Sequence, residues 1–141
     1  MKKLFIDTNI WVYQTNANSI FHAAATQKLM DLQASGFVFY VSTQVLREYA
    51  KATTLEAFLT HSQVQANMSK MRRITVVLEE TQPVIIELEK LIGRFNVKGK
   101  SVYDCNIVAT MQHYSIDTIL THNVKDFTPR YDGLLTVLPL L

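Results

Sequence analysis

After Met1-Lys2-Lys3 comes an unbroken apolar run, Leu4-Phe5-Ile6, which meets Asp7, Thr8 and Asn9 and turns apolar again at Ile10, Trp11 and Val12. Short continuous apolar runs suit strands buried on both faces, whereas apolar residues three and four apart suit helices. That pattern predicts a strand over Leu4–Asp7 and a helix over Thr8–Gln14 directly after it. Phe21–Ala34 has helical spacing at Ala24, Leu29 and Leu32, with Gly36 as its stop signal. Phe37–Val41, aromatic and β-branched, predicts a second strand. Helices are expected over Thr43–Thr53 and again from about Leu55 to Met71, and a third strand over Ile74–Leu78. Gln82–Phe95 predicts a helix with Pro83 in its first turn, and Val102–Tyr114 another. Thr118–Thr121 predicts a fourth strand and Thr136–Leu138 a short fifth at an edge, while "GRFNVKG" (93–99) is the best loop candidate.

Strands that alternate with helices, and are apolar throughout, imply an α/β three-layer fold with a mainly parallel central sheet of about five strands flanked by helices. The 141 residues suit one domain, 1–141, and show no repeat, linker or low-complexity segment. Apolar residues make up 48%, so a packed chain is expected rather than a disordered one. A formal net charge of +2 does not announce nucleic acid, so any basic surface must be local. With the single cysteine, Cys105, no disulfide can close within the chain, and a reducing cytoplasm is the expected location. Met1-Lys2-Lys3 resembles the start of a signal peptide, but the apolar run after it stops at Asp7, and no window reaches the length of a membrane span.

In open parallel sheets, ligands bind beyond the carboxyl ends of the strands. Four acids fall there. Asp7 ends the first strand, Glu48 sits in the helix after the second, Asp104 opens the helix that feeds the fourth, and Asp126 follows the fourth. Each has a plainer explanation. Asp7 could cap the next helix; Ser101 and Asp104 have capping-box spacing; Asn123 and Asp126 have related spacing; and Glu48 could be an ordinary solvated helix residue. As a set they say more. Carboxylates aimed at one spot repel and raise one another's pKa, which a cation relieves. Hard oxygen donors without His or Cys suit Mg²⁺ or Mn²⁺. Such ions activate water, and two of them about 4 Å apart can clamp a phosphodiester. Thr8 and Asn9 would then hold the Asp7 carboxylate in orientation.

"FIDTNI" (5–10), "STQVLREY" (42–49), "VYDCNIVAT" (102–110) and "ILTHNVKDF" (119–127) resemble, in order and spacing, the four motifs of PIN-domain proteins, and most of all the VapC-type toxin ribonucleases. The resemblance covers nearly the whole chain. It implies a PIN-like fold and a metal-dependent endoribonuclease, with RNA as substrate and a cognate antitoxin as partner. It also implies a homodimer. Position by position, Asp7, Glu48 and Asp104 match the family's regular acidic positions. Asn123 stands where many members have Asp, with Asp126 three residues on. Thr8 and Thr121 match hydroxyl residues that line such sites, and Asn106 is a possible addition.

Among other residues, Cys105 and His113 lie too far apart on one helix to form a nucleophile pair, so Cys105 is expected to be a small buried residue. The four histidines lack metal-ligand spacing; His122 could touch phosphate or be a surface residue. Arg72 and Arg73, with Lys70, and Lys98 and Lys100, with Arg94, are candidate RNA contacts; Phe95 and Tyr103 could stack on bases. Solvated charge is the alternative. Trp11 and Tyr13 are expected to pack rather than stack. Three rival functions remain. A haloacid-dehalogenase-type phosphatase would usually show Asp two residues after Asp7, where Asn9 stands. A non-catalytic PIN-like RNA-binding module and a structure-specific DNA nuclease are the others.

Overall fold

The computed structural model describes residues 2–55 and 58–141. Five strands form one sheet: β1 (Lys2–Ile6), β2 (Phe37–Ser42), β3 (Val76–Leu78), β4 (Thr118–Thr121) and β5 (Thr136–Pro139). Every pairing is parallel, in the order β3-β2-β1-β4-β5. The described residues contribute six α-helices: α1 (Thr8–Thr15), α2 (His22–Ala34), α3 (Thr43–Leu55), α4 (His61–Ile74), α5 (Gln82–Phe95) and α6 (Ser101–His113). This is the expected α/β architecture, with β5 at an edge.

The apolar runs explain the sheet. Leu4, Phe5 and Ile6 of β1, Val41 of β2, and Ile119 and Leu120 of β4 have no exposed surface. The central strands are covered from both sides, as parallel sheets require. β1 lies between β2 and β4, so the chain winds one way through β1, β2 and β3 and then returns to the other side of β1. The carboxyl ends of β1 and β4 therefore flank the point where strand order reverses, the usual place for a crevice in such sheets. The backbone N–H of Asp7 extends the pairing by one bond to the Leu120 carbonyl, 3.0 Å.

Several boundaries differ from expectation, for local reasons. Asp7 lies just past β1 and caps α1. Leu55 belongs to the end of α3, and α4 starts at His61, because Thr60 and Gln63 close a capping box there. The part of the expected helix at 56–57 lies outside the described residues. Ile74 ends α4, leaving β3 only from Val76. Gly93 is inside α5; the loop begins at Asn96, whose left-handed backbone (φ 53°) stops the helix. Cys105 is buried, as expected. Among the described residues, no helix is long and apolar enough to cross a membrane.

Candidate functional site

Asp7, Glu48 and Asp104 line a single cavity of about 330 Å³, together with Thr8, Tyr13 and Asn123. β1 delivers Asp7, and α3 delivers Glu48 from beyond β2. The first turn of α6 delivers Asp104. Asn9 also lines this space. Asp126 is in a short 3-10 turn, Val124–Asp126, and lines an adjoining cavity that shares Asn123.

Asp7 is only 7% exposed. One carboxylate oxygen accepts the Thr8 backbone N–H at 2.8 Å, and the other accepts the Thr121 hydroxyl at 2.8 Å. Asp7 is thus both a helix cap and a cavity residue. Its pKa is pushed up to about 6, first by burial; the two hydrogen bonds oppose the rise, and the charges of Glu48 and Asp126 add to it. Asp104 is pushed up to about 7, again first by burial, then by Asp126, Asp7 and Glu48, with Arg130 pulling the other way. The Tyr13 hydroxyl is raised by burial and by the Asp7 charge.

The capping alternative for Asp104 has no hydrogen bond behind it. No side chain caps α6, which Lys100 precedes with helical backbone angles. Asn123 likewise makes no side-chain cap to the 3-10 turn. Glu48 is not simply solvated: one oxygen accepts the Thr8 hydroxyl at 3.0 Å, and the other accepts the Gln44 side-chain amide at 2.8 Å.

The expected support for Asp7 is distributed differently. Thr8 serves Asp7 through its backbone and Glu48 through its hydroxyl. Asn9 accepts the His122 backbone N–H at 3.4 Å instead of touching Asp7. Successive helix side chains diverge by about 100°, so Thr8 and Asn9 cannot both face one carboxylate. Thr121 fills that role, and its oxygen also accepts the Asn123 backbone N–H at 3.1 Å.

Of the basic candidates, Arg72 and Arg73 lie in the last turn of α4, and Lys98 and Lys100 precede α6; none lines the carboxylate cavity. Lys125 lines the adjoining cavity, and Arg130 acts on Asp104. The sequence held no signal for Arg130, which is remote from Asp104 along the chain. Phe95 is engaged with Tyr131, whereas Tyr103 stays 65% exposed beside Asp104. The His122 ring packs on Phe21 (4.4 Å between centroids) and Tyr13 (5.6 Å). Gln44 was missed, although its spacing of four from Glu48 on one helix was a usable signal.

Three carboxylates line the cavity, and its other polar groups are hydroxyls and amides, a donor set suited to a hard cation. Among the described residues, no three His, Cys, Asp or Glu side chains are drawn together as a group that could hold a metal ion. Mg²⁺ does not require one, since it is usually held by one or two carboxylates and keeps several waters. The donor chemistry therefore fits the ion.

The PIN-domain family model matches residues 4–128. Ribonuclease VapC24 of Mycobacterium tuberculosis is 26% identical over 131 residues, covering 89% of each chain. A VapBC2 chain from Rickettsia felis, in a structure bound to a promoter DNA fragment, superposes with a TM-score of 0.72 at 18% identity, over 97% of this chain and 98% of that one. A chain of a toxin–antitoxin complex from Klebsiella pneumoniae superposes with a TM-score of 0.69 at 20% identity, over 98% of both. These two likenesses speak to the fold. With the family model covering residues 4–128, from β1 through β4 and the 3-10 turn, the chain belongs to the PIN-domain family and is a distant homologue of the VapC toxin ribonucleases.

Proposed function

We propose that this chain is an endoribonuclease that hydrolyses RNA phosphodiesters with Mg²⁺ or Mn²⁺, and that it is the toxin of a type II toxin–antitoxin pair. The observation that carries the proposal is the gathering of Asp7, Glu48 and Asp104, from three distant stretches, around one cavity at the reversal of strand order. Burial and mutual repulsion oppose ionisation of Asp7 and Asp104, and a bound cation would relieve both. The ribonuclease relative supports RNA as substrate, and the Klebsiella complex supports a paired antitoxin.

Asp7, Glu48 and Asp104 would hold the cation, directly or through water, with Asp126 contributing from the adjoining cavity. When bound, such an ion supplies Lewis acidity to the phosphodiester and makes water a stronger nucleophile at neutral pH. Thr121 and Thr8 keep the Asp7 and Glu48 carboxylates aimed. Asn123 presents a neutral amide where substrate oxygens would enter. Lys125 and Arg130 bring positive charge to an otherwise repulsive approach. Arg72, Arg73, Lys98 and Lys100 would meet only the flanking backbone of a longer RNA.

Residues 1–141 would work as one nuclease domain, in the cytoplasm, as a homodimer neutralised by an antitoxin whose basic side chain pairs with the carboxylates. Single-stranded RNA incubated with purified protein should be cut with Mg²⁺ or Mn²⁺ and left intact with EDTA or with Asp7→Asn. Cutting that persists in EDTA would overturn the reading. A monomeric mass at micromolar concentration would overturn the dimer.

A further inference from the structure

Gln44 is only 5% exposed, in the first turn of α3, one turn before Glu48. Its amide nitrogen donates to the Glu48 carboxylate at 2.8 Å and to the main-chain carbonyl of Tyr103 at 2.9 Å. Tyr103 immediately precedes Asp104. The Gln44 amide oxygen accepts from the Asn106 side-chain nitrogen at 2.7 Å. The second hydrogen on that nitrogen goes to Glu80, at 2.8 Å. Glu80, just before α5, is itself fixed: it accepts the Thr43 hydroxyl and pairs with Arg47 at 3.2 Å.

The polarity of this chain of bonds is set by its ends. Carboxylates and carbonyls only accept, so the nitrogen of Gln44 must face Glu48 and Tyr103, and its oxygen must face Asn106. Asn106 in turn must aim its nitrogen at both Gln44 and Glu80. That leaves the Asn106 oxygen buried without a partner. A buried polar atom left unpaired is costly, and its retention here points to a demand made by the rest of the network. Glu48 receives one hydrogen bond on each oxygen, from Gln44 and from Thr8, which restricts its rotation while leaving lone pairs toward the cavity.

We propose that Gln44 is a positioning residue of the carboxylate cavity, fixing Glu48 relative to the start of α6 and so to Asp104, with Asn106 and Glu80 holding its amide in the one productive orientation. The inference rests on the cation-dependent reading above and names what sets the geometry of that site. Groups that orient a metal ligand typically change affinity or activity by about 10–100-fold when removed.

The test uses metal-free protein titrated with Mn²⁺ by calorimetry, alongside steady-state cleavage of a short RNA. Gln44→Met keeps length and loses the hydrogen bonds; Asn106→Ser removes the supporting amide without adding bulk. Leu91→Ala in α5 serves as a destabilised control outside the network. Both network variants should bind Mn²⁺ about tenfold or more weakly, with kcat falling and KM changing less than about twofold. Leu91→Ala should melt earlier and bind Mn²⁺ like wild type. If Gln44→Met does not fold, Asn106→Ser decides. Wild-type Mn²⁺ affinity in a folded network variant would overturn the positioning role while leaving the nuclease reading intact. A wild type that neither binds Mn²⁺ nor cuts RNA would overturn both.

Discussion

Thr121 donates its hydroxyl to Asp7 across 2.8 Å, joining two residues 114 positions apart at the ends of neighbouring strands. The bond is buried, and it counters the burial that pushes the Asp7 carboxyl up to about 6. Thr121→Val keeps the shape and removes the donor. The Asp7 pKa should then rise further, so that Mn²⁺ competes with a more tightly held proton. The pH at which Mn²⁺ binding is half-maximal should shift upward, and affinity at pH 7 should fall about tenfold or more. An unshifted binding profile would show that Thr121 merely fills space.

The raised carboxyls also set how stability without metal depends on pH. A native carboxyl with a raised pKa binds its proton more tightly than the unfolded chain does. Over that interval the native state holds more protons, and stability falls as pH rises. The contribution is fully present below about pH 4 and is lost through about pH 6 for Asp7 and about pH 7 for Asp104. In EDTA, wild type should therefore lose stability relative to Asp7→Asn between pH 4 and pH 7, and Mn²⁺ should restore it. Urea melts of both proteins across that range provide the check. A difference independent of pH would mean that the carboxyl titrates normally.

Removing single carboxylates should rank the acids by their place around the cavity. Asp7→Asn, Glu48→Gln and Asp104→Asn should each lower kcat/KM for RNA about a hundredfold or more, because each removes charge that would hold the ion. Asp126→Asn should cost less, since Asp126 lines the adjoining cavity and acts on Asp7 and Asp104 through its charge. Rates measured at saturating Mg²⁺ test the order. A larger loss from Asp126→Asn than from Asp104→Asn would move the centre of the site to the 3-10 turn.

What the sequence disclosed follows from the range of the interactions. β1, β2 and β4 each contain an unbroken apolar run, so they were legible from a few consecutive residues. The acids were legible because a parallel sheet brings strand ends to one edge, whatever lies between them. The start of α4 was less visible, because the apolar spacing of α3 and α4 runs across the gap and only the Thr60–Gln63 pair marks the break. Asn106 stood out only as a possible addition to the site, and its pairing with Gln44 was obscure for another reason. They meet across 62 residues, and nothing local distinguishes a buried amide in a network from one in water. The split between Thr8 and Asn9 was not legible either: adjacent positions on a helix face different neighbours, so the Thr8 hydroxyl meets Glu48 while Asn9 meets the His122 backbone.

Thermal stability without metal separates a crowded carboxylate from a helix cap at Asp104. If its charge served the start of α6, removing it would cost about 0.5–2 kcal/mol and lower the melting temperature. The structure gives that explanation no hydrogen bond, since no side chain caps α6. It does put Asp104 in the field of Asp126, Asp7 and Glu48, with Arg130 alone among the named charges opposing them. Asp104→Asn should therefore relieve repulsion and raise the melting temperature in EDTA at pH 7.5, where the carboxylate is mostly ionised. It should also shrink the gain on adding Mn²⁺, because a ligand stabilises only the state that holds it. The two explanations differ in the sign of the metal-free shift. Melts of wild type and Asp104→Asn, each with EDTA and with Mn²⁺, decide between them: a lower metal-free melting temperature with an undiminished Mn²⁺ gain would remove Asp104 from the cation site and leave its role at the helix start.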